Sequence, residues 1–193
     1  MPWEKKFDID DSLEKAKQIF WRKGYEATSM QDLLNEMGIG RGSFYGTFKS
    51  KHDIYLRVLR KYGEQNGESL FRIARQIESP RAAILYVFEQ TIVSALQTDS
   101  QQGCFLANAA LEVAPFDEDA GRIVEDSFAE IRRFFRMLVS EAQARGEIDR
   151  KKNPSELGSA LLSLLLGLKV LARSAPQKEV LEASLKQADN LLG

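Results

Sequence analysis

Apolar residues recur along this chain at intervals of three and four, the spacing of one helical face, and no segment alternates apolar and polar like a half-buried strand. Ile9, Leu13, Ala16 and Phe20 form the first stripe, with Asp8 placed to cap it and Gly24 to end it. Thr28, followed three residues on by Gln31, reads as a capping box for a second helix striped by Met30, Leu33, Leu34 and Met37. Gly38-Ile39-Gly40 is a compact turn, and a third helix over about 41–48 is pinned by Phe44 and Phe48, one turn apart. The order is helix, tight turn, helix.

Ser50 with Asp53 opens a fourth helix, apolar at Ile54, Val58 and Tyr62, that continues toward Phe71 and Ile77 because no proline interrupts it before Pro80. Ser79-Pro80 then supplies the cap and first position of a helix to about 96, followed by a polar loop over 97–102. A short helix over 103–114 is stopped by Pro115, and a long one over 117–145 ends at Gly146. Asn153-Pro154 repeats the cap-plus-proline signal ahead of a very apolar helix over 155–173. Beyond Pro176 a last helix carries Val180, Leu181, Leu185, Ala188 and Leu192. The pattern predicts an all-α fold of about nine helices.

Composition fits that picture without adding to it: 44% hydrophobic and 28% charged residues are ordinary for a folded globular protein. A chain of 193 residues suits one compact body with a small appended module. No linker separates the two, and the division falls at 1–49 and 50–193. The net charge of -1 hides an asymmetry, since residues 1–62 hold 12 Lys+Arg against 9 Asp+Glu. The longest apolar stretch, 160–168, is interrupted by Ser163 and falls short of the roughly 20 residues of a membrane span, so no membrane association is expected. A lone cysteine, Cys104, forbids an intramolecular disulfide and fits a cytoplasmic protein. No Gly-Lys-Ser phosphate loop, Gly-x-Ser-x-Gly elbow or His-Glu-x-x-His pair is present, so an enzyme is not expected. With one histidine, His52, far from Cys104, neither a metal site nor a cofactor is expected.

A helix-turn-helix reads DNA because its short second helix enters a major groove about 12 Å wide while the first crosses the backbone. It needs small residues at the turn, apolar ones behind, and polar or cationic ones in front. Residues 28–51 supply all three, with Arg41 and Ser43 opposite Phe44 and Phe48, and Lys49 and Lys51 at the far edge. A tri-helical packing module with an exposed arginine and lysine has the same periodicity, so a helical interaction module without DNA binding stands as the alternative.

Phe20-x-x-x-Gly24-Tyr25-x-x-Thr28-Ser29-Met30-x-Asp32-Leu33, then Gly38-Ile39, then Ser43-Phe44-Tyr45-Gly46-Thr47-Phe48-Lys49-Ser50-Lys51 resembles the DNA-binding signature of the TetR family, over about the first 60 residues. The resemblance implies that Arg41, Gly42 and Ser43 face base edges, and that Tyr45 and Thr47 touch phosphates or bases. It implies that Thr28, Ser29 and Gln31 open helix two, where free N–H groups receive a phosphate. Lys51 matches a lysine that clamps the DNA backbone, and His52 beside it reads as a neighbour of that backbone. Two departures weaken the recognition helix: Gly40 stands where a polar cap is usual, and Gly42 and Gly46 each cost roughly 0.5–1 kcal/mol relative to alanine.

The segment 157–171, apolar on nearly every side, is either a central core helix or, as the resemblance implies, part of a homodimer interface formed by the last two helices. The resemblance also implies a small-molecule effector held somewhere within 55–146, with Tyr62, Tyr86, Phe105 and Phe128 among the candidate lining residues, along with Phe71 and Phe134. Cys104 stands at a helix start, where the positive dipole end favours a thiolate. Some regulators of this family with a Gly-Cys motif respond to oxidants or electrophiles, which makes Cys104 a candidate redox sensor. Its bland reading is a small buried hydrophobe.

Overall fold

The computed structural model describes residues 8–65, 68–97, 103–174 and 177–193, and every regular element among them is a helix. Asp8 accepts the N–H groups of Asp10 and Asp11 at the head of α1 (Ile9–Lys23), and Gly24 ends it at a φ of 89°. In α2 (Met30–Met37) the capping box begins one residue later than expected: Ser29 pairs with Asp32, not Thr28 with Gln31. The reason is tertiary. Thr28 is fully buried and its hydroxyl donates to the Gly24 carbonyl at 2.6 Å, so the chain enters the helix only after it.

Gly38, left-handed at a φ of 68°, turns the chain into α3 (Arg41–Tyr45). This helix is five residues long, shorter than the expected 41–48, because Gly40 offers no side-chain cap and Gly42 and Gly46 lower its propensity. The fourth helix is described as α4 (Lys51–Gln65) and α5 (Glu68–Ala74), on either side of residues 66–67, which lie outside the described residues. It ends at Ala74, not Ile77, in a tight turn where the Gln76 and Ile77 N–H groups donate to Ile73 and Ala74. The described helical segments therefore number ten, against about nine expected.

Ser79 and Pro80 open α6 (Pro80–Gln97) as expected, and beyond Gln97 the expected loop lies outside the described residues. Then come α7 (Phe105–Glu112), α8 (Glu118–Ala144), α9 (Pro154–Ser174) and α10 (Lys178–Leu192), the last beyond Pro176, which also lies outside them. Asp117 caps α8 by accepting the Ala120 N–H at 2.8 Å.

The buried apolar residues form two clusters. One joins α1 to α4 with α7 and the head of α8, and the other joins α5, α6, α9 and α10 with the remainder of α8. The 27 residues of α8 thus belong to both and tie them together. At the seam, aromatic rings interlock: Phe105 of α7 packs within 6.0 Å of Trp21, Tyr55 and Tyr62, and Phe20 and Tyr25 close on Tyr55 from α1 and the turn after it.

Contrary to the expectation drawn from 160–168, α9 as a whole is long and apolar enough to cross a membrane by length and composition, at a mean hydropathy of 1.5. Its Leu157, Leu161, Leu165 and Leu168 nevertheless face the second cluster, as a core helix does. Only 33% of its most apolar window is buried within the chain.

Candidate nucleic-acid interface and effector cavity

The front of the helix-turn-helix is built by what lies behind it. Phe44 and Phe48 are fully buried with their rings 5.3 Å apart, which turns Arg41, Gly42, Ser43 and Tyr45 outward. Tyr45 is 55% exposed, an unusual surface position for so large a ring. Thr47 is half-buried just past α3, and Ser29 and Gln31 are exposed at the head of α2. Ser29 spends both its hydroxyl and its N–H on Asp32, and Gln31 bonds Asn35, so the N–H groups of Met30 and Gln31 are the open donors of the first turn.

Two expected contacts are redirected. The Lys51 ammonium donates to the carbonyls of Tyr25 and Thr28, both at 3.0 Å, and lies 4.3 Å from the centre of the Tyr25 ring. It clamps this protein's own backbone, because the turn between α1 and α2 aims both carbonyls at it. Thr28, buried beneath, presents no hydroxyl to solvent. Arg41 and Lys49 are exposed, and neither side chain forms an ion pair among the described residues.

The same region is fastened to the rest of the chain. His52, expected beside a DNA backbone, places Nε2 2.6 Å from Asp117 at the head of α8. Glu112, at the end of α7, accepts the Glu26 N–H at 3.0 Å and closes against Gly24, where an added Cβ would meet its carboxylate at 2.8 Å.

Hydrogen bonds from Lys23 and then Ser29 hold the Asp32 carboxyl at about 2, well below its ordinary 3.8. A depressed folded-state value adds stability above the unfolded pKa and loses it as pH falls through the folded one. The contribution from Asp32 is therefore complete above about pH 4 and fades toward pH 2. In a circular-dichroism acid titration, Asp32→Asn is expected to flatten this part of the curve while leaving neutral-pH folding cooperative. An unchanged acid limb contradicts the assignment.

A cavity of about 710 Å³ opens in the second half of the chain, with walls from α4 to α9. Tyr62, Tyr86, Cys104, Phe105 and Phe128 do not line it. Tyr62, Cys104, Phe105 and Phe128 belong to or pack on the first cluster, and Tyr86 packs against the second. Of the aromatic candidates, Phe71 and Phe134 line it, stacked at 4.3 Å. Cys104 is 4% exposed at the head of α7, with the Tyr62 hydroxyl 4.0 Å from Sγ. The charged rim of Arg72, Arg75, Arg133 and Lys169 had no sequence signal, because it gathers three regions, around α5, on α8 and on α9, that are far apart in the chain.

Residues 13–58 match the model for bacterial regulatory proteins of the tetR family, and residues 80–188 match that for the tetracyclin repressor-like C-terminal domain. The chain belongs to the TetR family. This TetR-family protein is 27% identical over 190 residues to the uncharacterized helix-turn-helix regulator YezE of Bacillus subtilis, covering 96% of this chain and 98% of the relative. It is 29% identical over 181 residues to the transcriptional repressor ComR of Escherichia coli, at 92% and 85% coverage. Among solved structures it is similar to a cysteine mutant of the regulator CifR in complex with a 26-bp operator, with a TM-score of 0.84, 27% identity, and coverage of 95% and 96%. Reduced NemR of Escherichia coli, at 20% identity, shares the fold, with a TM-score of 0.87 and coverage of 95% and 96%. A TetR-family chain is a transcriptional regulator, not an enzyme.

Proposed function

We propose that the chain is a cytoplasmic homodimeric repressor that grips a palindromic DNA operator and releases it when a small effector fills the cavity or Cys104 is modified. The observation that carries the reading is the exposure of Arg41, Ser43 and Tyr45 on a short helix whose back is locked into the core by Phe44 and Phe48. That is the arrangement a major groove requires. The CifR complex with operator DNA and the repressor ComR support it as relatives.

In this reading residues 1–49 read DNA and residues 50–193 sense and dimerise. Arg41, Gly42 and Ser43 face bases, while Ser29, Gln31, Tyr45 and Thr47 meet phosphates or sugars. Lys49 takes the backbone contact, and Thr28 and Lys51 hold the turn from behind. The sensing route runs through α7: Cys104 and Phe105 abut Tyr62 at one end, and Glu112 holds the turn before α2 at the other. Oxidation of Cys104 adds volume and polarity to a packed seam, which shifts α7 and with it that turn.

Arginine bonds guanine bidentately and discriminates by about 1–3 kcal/mol, whereas a lysine on a phosphate acts through charge. In competition binding across operator variants, Arg41→Ala is expected to relax base preference. Lys49→Ala is expected to weaken all sequences alike and lower the salt slope by about one. Equal, sequence-independent losses for both variants overturn the base-reading role of Arg41.

A further inference from the structure

We infer that the cavity takes an amphipathic organic anion: an acidic head held by Arg75 and Lys169 on an aromatic or aliphatic body that lies along Phe71 and Phe134. The inference rests on the effector reading and names the class of effector. Its first support is size, since about 710 Å³ lies within the roughly 300–1,000 Å³ range of small-molecule sites and far exceeds an inorganic ion.

Its second support is charge. The described lining carries four cations, Arg72, Arg75, Arg133 and Lys169, against two carboxylates, Glu64 and Glu130. Glu130 lies 3.8 Å from Arg133 and offsets it. With Glu64 as the other carboxylate, the four cations still outnumber the carboxylates of the described lining by two. Arg72, Arg75 and Lys169 form no ion pair among the described residues, and of these Arg75 stands over the Phe134 ring while Lys169 is half-buried, which makes these two the head-group pair. Lys169 is half-buried on α9, so its stem lies along the cavity wall while its ammonium is free to meet a ligand. Convergence of such cations from separate elements on one hollow favours an anion there.

Its third support is the shape of the wall. The Phe71 and Phe134 rings stack at 4.3 Å with 23° between planes, and the Arg75 guanidinium lies 5.6 Å from the centre of the Phe134 ring. The cation thus stands directly above an apolar, aromatic floor. Val87 and Leu165 extend that floor on α6 and α9. A ligand with its acid against Arg75 and Lys169 bridges the segment that follows α4, which is joined to the helix-turn-helix, to α9.

The test is a fluorescence titration of the full chain with 8-anilinonaphthalene-1-sulfonate and with its uncharged counterpart, N-phenyl-1-naphthylamine. The sulfonate is expected to bind at least tenfold more tightly. Arg75→Gln and Lys169→Gln are each expected to weaken the sulfonate about tenfold and to leave the neutral dye unchanged, while Lys169→Arg retains sulfonate binding. Unchanged binding of the neutral dye shows that each variant keeps its fold. Thr91→Trp, which intrudes into the cavity, is expected to weaken both dyes.

If both dyes bind equally and both release operator DNA, the anion class is overturned while the effector reading stands. If the sulfonate is indifferent to Arg75→Gln, Lys169→Gln and Thr91→Trp, the cavity is not its site and the inference fails. If the dyes discriminate as expected but neither alters operator affinity, the anion site stands and the effector reading fails.

Discussion

Phe44→Ala is expected to destabilise the chain by about 3–5 kcal/mol and to abolish specific DNA binding. Phe44 is fully buried, tilted against Phe48 and edge-on to Tyr45 at 5.2 Å. The helix that carries it has five residues, two flanking glycines and no side-chain cap, far below the length at which a helix holds itself together. Its position is therefore set by the two phenylalanine anchors, and removing one releases the surface bearing Arg41 and Ser43. The loss is a large share of the roughly 5–15 kcal/mol that stabilises a typical domain. Tyr45→Ala, at an exposed neighbouring position, is expected to change stability by no more than about 0.5 kcal/mol. Urea unfolding of the two variants side by side is decisive, and equal midpoints contradict the anchoring role of Phe44.

Gly167→Glu is expected to convert a dimer into a folded monomer and to lower operator affinity by about 100-fold or more. On the outward face of α9, Ser159, Ser163 and Gly167 follow one another at four-residue spacing and are exposed, with Val170 at 46% beside them. An added Cβ at Gly167 meets nothing within 4 Å of its own chain. The substitution therefore has no intramolecular clash and gains helix propensity of about 0.5–1 kcal/mol. A penalty can arise only from a second chain packed on that face, where an unpaired carboxylate is buried. Leu171 on α9 and Val180 on α10, both 39% exposed, extend the apolar surface that such a chain covers. Two-fold pairing places the recognition helices about one DNA turn apart, some 34–36 Å, and doubles the grip on a palindrome. Light scattering at micromolar concentration reads the outcome. A monomeric wild type, or a variant that stays dimeric, contradicts this interface.

Signals that act within one turn of helix were legible in the sequence. Asp8, Ser79-Pro80 and Asp117 mark helix starts because a cap needs only its own side chain and the next three residues. Phe44 and Phe48 were legible as anchors because the spacing puts both on one face. Signals that depend on tertiary neighbours were not. Thr28 and Ser29 cap equally well by chemistry, and burial of Thr28 against the Gly24 carbonyl decides between them. The hold of Lys51 on the carbonyls of Tyr25 and Thr28 was not legible, because backbone acceptors carry no sequence signature. His52 and Asp117 stand 65 positions apart, and Arg75 and Lys169 line one cavity that only folding creates. The caps and anchors of the helix-turn-helix were therefore readable residue by residue, its tertiary contacts were not, and the sensor was readable only as a region.

The surface around Arg41 is expected to read a DNA sequence. Equilibrium binding of the full chain to a duplex selected from random DNA, and to a shuffled duplex, over a range of salt concentrations tests it directly. The expected affinity falls steeply and log-linearly with salt for both duplexes, with the selected one bound at least about 1,000-fold more tightly. That preference is expected to shrink in Arg41→Ala. Absence of salt-dependent affinity for any duplex would contradict the account and leave a helical interaction module in its place.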